Sequence, residues 1–287
     1  MVSERLSRIA ACLHDVVRST RRLSGGDTSE AYRVDLQRRG TVFIKIPTAG
    51  GRSPAGLYLA EAAGLDWLRR AASSLRIPRV VYVGSEGLVQ EYVETVAEGP
   101  DSAERLGRGL AELHRAGAPE WGWSRANFVG PLHQDNEPAD SWLGFWRDRR
   151  LRPRLDQARQ HGMPEGLVGR LERLCNRLGD YLGDPEPPAR LHGDLWRGNV
   201  LVTRPDVPVL IDPAVYGGHR EVDLAMMQLF GGFSDRVFAA YDEAYPLAAN
   251  WRDRVPFYQL YPLLVHVVLF GASYLAPLDA ALHRLRA

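Results

Sequence analysis

The chain has 287 residues, 45% hydrophobic and 25% charged, which is ordinary globular composition. Its formal net charge of +1 leaves no electrostatic footprint for nucleic acid or an anionic membrane surface. Two cysteines, Cys12 and Cys175, are too few for a disulfide framework, and the opening MVSERLSRIAACLHDVV has no secretory apolar block, so a reducing, cytoplasmic setting is predicted.

Residues 4–18 carry the pattern of a short amphipathic helix. RRLSGGDTSEAYRVDL offers a strand, a turn at Gly25 and Gly26, and a second strand, and the β-branched run Thr41 to Pro47 a third. Apolar residues Leu57, Ala60, Leu65 and Leu68 predict a helix over Pro54 to Ala72, and RVVYVG and GLVQEYV predict two more strands about Ser85 to Gly87. Beyond Val93 the pattern turns helical. DSAERLGRGLAELHRAG reads as a helix with Asp101 or Ser102 as N-cap, 117–140 as a long loop, and Ser141 to His161 and Glu165 to Leu182 as helices. LHGDLWRGNVLV and PVLIDPAV precede the last helices. The segment Leu260 to Leu278 is apolar enough to mimic a membrane span, but Pro262, His266, Ser273 and Pro277 favour a buried helix.

The thirty-six basic residues include a single lysine, Lys45. An ammonium is a compact point charge where a guanidinium is a wide planar fork, so a site that accepts only the former retains it. HGDLWRGN places Asp194 and Asn199 five positions apart, the separation of the base Asp and metal-binding Asn in a protein-kinase catalytic loop. An attacking hydroxyl needs a carboxylate within hydrogen-bond reach, and an amide oxygen suits Mg²⁺. VLIDPA ends an apolar strand on Asp212, a second hard-cation ligand, with Pro-Ala in place of the Phe-Gly of kinase switches. Lys45 in its strand and Glu61 in the following helix complete a nucleotide-positioning pair. SGGDTSEAY would cover phosphates with the backbone N–H groups of Gly26 to Thr28, or serve as an ordinary hairpin turn. Taken singly, Asp194 reads as a turn or cap residue, Asn199 as a turn residue and Glu61 as a solvated charge. The ordered set predicts an α+β, protein-kinase-like fold of two lobes, with an antiparallel-sheet N-lobe over 1–93 and a mostly helical C-lobe over 94–287.

HGDLWRGN, IDPAVYGGHREVDLAMMQLFGGF, NFVGPLHQDN, SWLGFWRDRRLRP and YQLYPLLVHVVLFGASY together resemble fructosamine kinase and its ketosamine 3-kinase relatives. The resemblance implies ATP and Mg²⁺ as cofactors, Asp194 as base, Asn199 and Asp212 as metal ligands, and Lys45 with Glu61 at the nucleotide. It further implies Gln90, Glu91, Tyr92 and Val93 as an adenine hinge, Trp196 and His219 at the sugar, and Asp223 as a brace for the catalytic loop. The implied reaction phosphorylates O3 of a ketosamine, free or protein-bound, giving an unstable product that releases the amine. An aminoglycoside or choline-type kinase and a silent kinase-like binding module are the alternatives. Gly26-Asp27-Thr28 lacks the cysteine by which some relatives join two chains, so a monomer is predicted.

Overall fold

The computed structural model describes residues 2–23, 29–48, 54–183 and 186–285. The predicted phosphate-covering loop, with Gly26 and Thr28, lies outside them. The amphipathic N-terminal segment forms α1 (Val2–Cys12). Then come β1 (Val17–Leu23), β2 (Ser29–Leu36), β3 (Gly40–Pro47), α2 (Leu57–Arg69), β4 (Val80–Gly84) and β5 (Gly87–Glu91), the predicted order. The strands form one antiparallel sheet in the order β1-β2-β3-β5-β4.

Side chains alternate across a strand, and β3 shows what this does. Val42, Ile44 and Ile46 bury against Leu6 and Ile9 of α1. The intervening Lys45 therefore faces α2. In β5 the same alternation sends Val89 to α1 but Leu88 to Leu57, Tyr58 and Ala62 of α2. Gln90, two residues on from Leu88, shares the α2 face. Each fully buried Ile or Val of this layer contributes roughly 1.5–3 kcal/mol.

The far end of α2 belongs to the larger core, which takes in Leu65 and Leu68. Gly64 sits against Pro213 and Val215, so the helix rests on the chain just past Asp212. Arg76 adds a strap, its N–H donating to Pro208 O and its carbonyl accepting from Leu210 N, each at 3.0 Å.

The rest is mainly helical: α3 (Ser102–Arg115), hairpin β6 (Asn127–Val129) and β7 (Leu132–Gln134), α4 (Trp142–Phe145), a π-turn (Trp146–Leu151), α5 (Arg152–Gln160) and α6 (Glu165–Asn176). Then follow β8 (Ala189–Leu191), β9 (Val200–Thr203), β10 (Val207–Leu210) and β11 (Tyr216–Gly218), and α7 (Glu221–Leu229), α8 (Asp235–Ala244), α9 (Trp251–Phe270) and α10 (Leu275–Arg284). β8 pairs with β11 and β9 with β10, which frames HGDLWRGN between β8 and β9 and Asp212 between β10 and β11.

Several expectations need correcting. The 117–140 loop contains a hairpin. Asp101 takes the predicted N-cap position of α3 but its side chain makes no capping bond, and Ser102 Oγ reaches back to accept from Gly99 N at 3.0 Å. The helix over 141–161 widens to a π-turn because Pro153 has no N–H for the Arg149 carbonyl, which Arg150 Nη1 takes at 3.0 Å instead. The stretch Trp251–Arg284 is long and apolar enough to cross a membrane by length and composition. α9 is buried at Trp251 and from Arg254 to Val265, and the predicted buried helix breaks at the 3₁₀ turn Gly271–Tyr274, next to Phe270, which is 46% exposed. Cys12 and Cys175 are both free thiols.

Candidate active site

Lys45 Nζ lies 3.0 Å from both Glu61 oxygens and 2.7 Å from Asp212 Oδ1, joining three elements spread over 167 positions of sequence. Gln90 Nε2 donates to Glu61 Oε1 at 3.1 Å. Gln90 thus enters the site through Glu61, its backbone being paired in the sheet opposite Phe43 and Val80. Glu91 is likewise opposite Val42 and accepts from Arg76 at 3.2 Å, while Tyr92 lies under the Arg33 guanidinium. Of the four hinge candidates, Tyr92 and Val93 follow the end of β5.

Asn199 Nδ2 donates to Asp194 O at 2.8 Å and to Asp194 Oδ2 at 3.2 Å. The loop carrying Asp194 is braced from beneath, where Asp223 accepts from His192 N at 2.7 Å and Gly193 N at 2.9 Å. Gly193 has φ +81°, and a Cβ there would meet Ala214 O at 2.1 Å, so the loop and the strand after Asp212 touch backbone to backbone. His192 Nε2 donates to Ile211 O at 2.9 Å, and its Nδ1 accepts from Asp194 N. Burial keeps His192 neutral, as that pairing requires. Asp212 itself takes φ +54°, an uncommon conformation for a non-glycine residue that clusters at functional sites.

His114 is fully buried. It contacts Asp223 Oδ2 at 3.1 Å and Tyr241 OH at 2.8 Å, a brace that sequence reading placed only as a core or surface histidine. NFVGPLHQDN also has a task. Asn127 Nδ2 donates to Val215 O at 2.8 Å, and Gln134 Nε2 to Asn127 Oδ1 at 2.8 Å and Ala214 O at 3.2 Å. The motif pins the backbone just past Asp212. Trp196 is 41% exposed and covers Gly198. His219, expected at the sugar, is buried beneath the site, stacked on Tyr258 with ring centroids 5.3 Å apart.

The fructosamine kinase profile matches residues 4–287. The chain belongs to the fructosamine kinase family. A probable ketoamine kinase of Thermus thermophilus is 39% identical over 260 residues, 91% of each chain. A Thermobifida fusca crystal structure assigned as a fructosamine-3-kinase superposes with a TM-score of 0.89 at 42% identity, covering 100% of this chain and 99% of that one. The streptomycin–ATP complex of an aminoglycoside phosphotransferase matches at 15% identity and TM-score 0.66, over 100% of this chain and 97% of that one, which shows the shared fold. This fructosamine kinase family member is a phosphotransferase acting on a sugar hydroxyl, built on a protein-kinase-like fold.

The electrostatics of the fructosamine kinase site follow from one ammonium among three carboxylates. Burial alone would lower Lys45, but Asp212 and Glu61 override it and hold the ammonium charged. Burial pushes Glu61 up to about 7 against the pull of Lys45. It pushes Asp194 up to about 7 as well, with the Asp212 charge adding to the effect. If all ionise, Lys45, Glu61, Asp194 and Asp212 sum to two negative charges, which a divalent cation would neutralise. Among the described residues no three His, Cys, Asp or Glu side chains gather as a metal site. The oxygen set of Asp212 and Asn199 fits Mg²⁺, which keeps several waters and takes one or two protein oxygens plus substrate phosphates. Because Asn199 spends its NH₂ on Asp194, its amide oxygen is left for such an ion.

Proposed function

We propose that the chain is an ATP- and Mg²⁺-dependent ketosamine 3-kinase that phosphorylates O3 of fructosamines or ribulosamines, with 1–93 serving as the nucleotide lobe and 94–287 as the substrate lobe. The observation that carries this reading is Lys45 held between Glu61 and Asp212 beside the Asp194–Asn199 pair. The family supports the ketosamine, and the aminoglycoside phosphotransferase neighbour, with ATP bound, supports the nucleotide.

In this reading Lys45, oriented by Glu61 and Gln90, neutralises the α- and β-phosphates. Tyr92 and Val93 offer backbone groups to adenine. Asn199 and Asp212 hold Mg²⁺, which supplies charge neutralisation at the transferring phosphoryl group. Asp194 orients the acceptor hydroxyl and takes its proton as that oxygen bonds to the γ-phosphorus and the bond to the β-phosphate oxygen breaks. Trp196 presents a flat apolar face to the sugar. His219 supports α9 beneath the site rather than touching substrate.

The test is mass spectrometry of products from a mixed ketosamine panel with ATP and Mg²⁺, repeated with Asp194→Asn. A new 3-phosphate is expected, and the substitution should lower turnover by about 10²–10⁴-fold. Turnover equal to the parent's would remove Asp194 from its role. Phosphorylation of an aminoglycoside or amino alcohol but no ketosamine would move the assignment to another acceptor.

A further inference from the structure

Five large hydrophobic side chains are exposed among the described residues, and three of them, Trp196, Phe230 and Phe270, belong to elements that border Asp194. A cavity beside Asp194 and Gly193 is lined by Val222 and Met226 of α7 and by Tyr261, Val265 and His266 of α9. Phe230 lies one turn beyond Met226, and Phe270 one turn beyond His266. His266 joins cavity and rim, its ring centroid 4.9 Å from Phe230, 5.4 Å from Phe270 and 4.7 Å from Tyr274. On the opposite flank Gly232 packs on the Arg197 side chain, which ties the Phe230 turn to the loop carrying Trp196. The cavity thus adjoins, through His266, an aromatic rim of Phe230, Phe270 and Tyr274.

Exposed aromatic rings are costly to keep in water and mark binding surfaces when they cluster. The four rim side chains Phe230, His266, Phe270 and Tyr274 carry no carboxylate, so they suit a flat apolar group better than a polycation. Their position decides what that group is. With a sugar hydroxyl seated at Asp194, the side of the cavity formed by His266 leads to Phe230 and Phe270, where the group carried by the sugar can lie.

We infer that Phe230, His266, Phe270 and Tyr274 form a subsite for the amine-borne substituent of the substrate, selecting ketosamines whose amine carries an aromatic or large apolar group. The inference rests on the ketosamine reading of the site. It assigns specificity to residues outside the catalytic set.

The experiment compares two fructosamines, one made from benzylamine and one from glycine, on the native protein, Phe230→Ala and Phe270→Ala. Two readouts are used: ATP-dependent phosphorylation, and calorimetric titration without ATP. The native protein should favour the benzyl carrier by about tenfold in kcat/KM and in affinity, and each substitution should collapse that ratio toward one. A native ratio near one, or a ratio that survives both substitutions, overturns the subsite. Phe270-dependent binding of the benzyl carrier with no phosphate transfer to either compound would uphold the subsite and sink the kinase assignment instead.

Discussion

Lys45 sits 9% exposed with three carboxylate oxygens at 2.7–3.0 Å, a space sized for a tetrahedral ammonium. A guanidinium there must spread its planar fork across the same gap, and it cannot aim one compact charge at a phosphate. Lys45→Arg keeps the charge and is still expected to lower kcat/KM by about 10²-fold or more. Steady-state kinetics in ATP check this, and a loss under threefold would show that charge alone suffices. The residue was legible because its chemistry admits one side-chain type in a chain that otherwise uses arginine. The same holds for Asp194, Asn199 and Asp212, whose spacing survives in sequence. Gln90 and His114 were not legible in their roles. Each is a buried polar group whose meaning comes from a distant partner: Glu61 is 29 positions from Gln90, and Asp223 is 109 from His114. The burial of His219 against Tyr258 was not legible for the same reason, since a histidine beside a motif looks alike whether it faces the cleft or the core.

At the scale of elements, the sheet and the long helices followed from period and β-branching, whereas β6 and β7 have three residues each, too few to show alternation. Their purpose is tertiary. The hairpin delivers Asn127 and Gln134 to the carbonyls of Val215 and Ala214, and Gln134 Oε1 accepts from Tyr261 OH at 2.6 Å. One carboxamide therefore ties the strand after Asp212 to α9. Gln134→Leu leaves Ala214 O and Tyr261 OH short of a partner in a buried site, while Asn127 Oδ1 keeps its bond from Asn136 Nδ2 at 2.8 Å, and each group left unpaired costs about 1–3 kcal/mol. The substitution is expected to lower the melting temperature by several degrees and to reduce turnover together with it, through a displaced Asp212. Thermal denaturation alongside kinetics checks both. An unchanged melting temperature would mean that the hairpin does not carry this load.

The two parts of the molecule meet through α2, which rests on Pro213 and Val215, and through the Arg76 strap, while the helical part stands on a layer of buried charge under α7, α8 and α9. Arg220 grips Glu186 through two bonds of 2.7 Å, and Arg254 binds Glu221 at 2.8 and 2.5 Å. His219 lies in the same layer, 3.9 Å from Glu186 and against Tyr258. Burial pushes His219 down to about 4, the Glu186 charge being outweighed by desolvation and by the nearby arginines. Below an unfolded value of about 6.5 the unfolded chain takes up a proton that the folded chain refuses, so stability is full above that pH and falls as pH drops toward 4. One such proton gives a slope of about 1.4 kcal/mol per pH unit within that window. His192, also lowered by burial, adds a second contribution of the same sign. Glu186, held below its ordinary value by Arg220 despite its burial, loses its own stabilisation as the pH falls further. His219→Gln removes one of the two histidine terms. The variant should melt lower than the parent at neutral pH, having lost its stacking on Tyr258, yet its melting temperature should fall less steeply between pH 6.5 and 4. Parallel curves for the two proteins across that window would show that His219 takes up its proton in the folded state and that the layer beneath the site tolerates the charge.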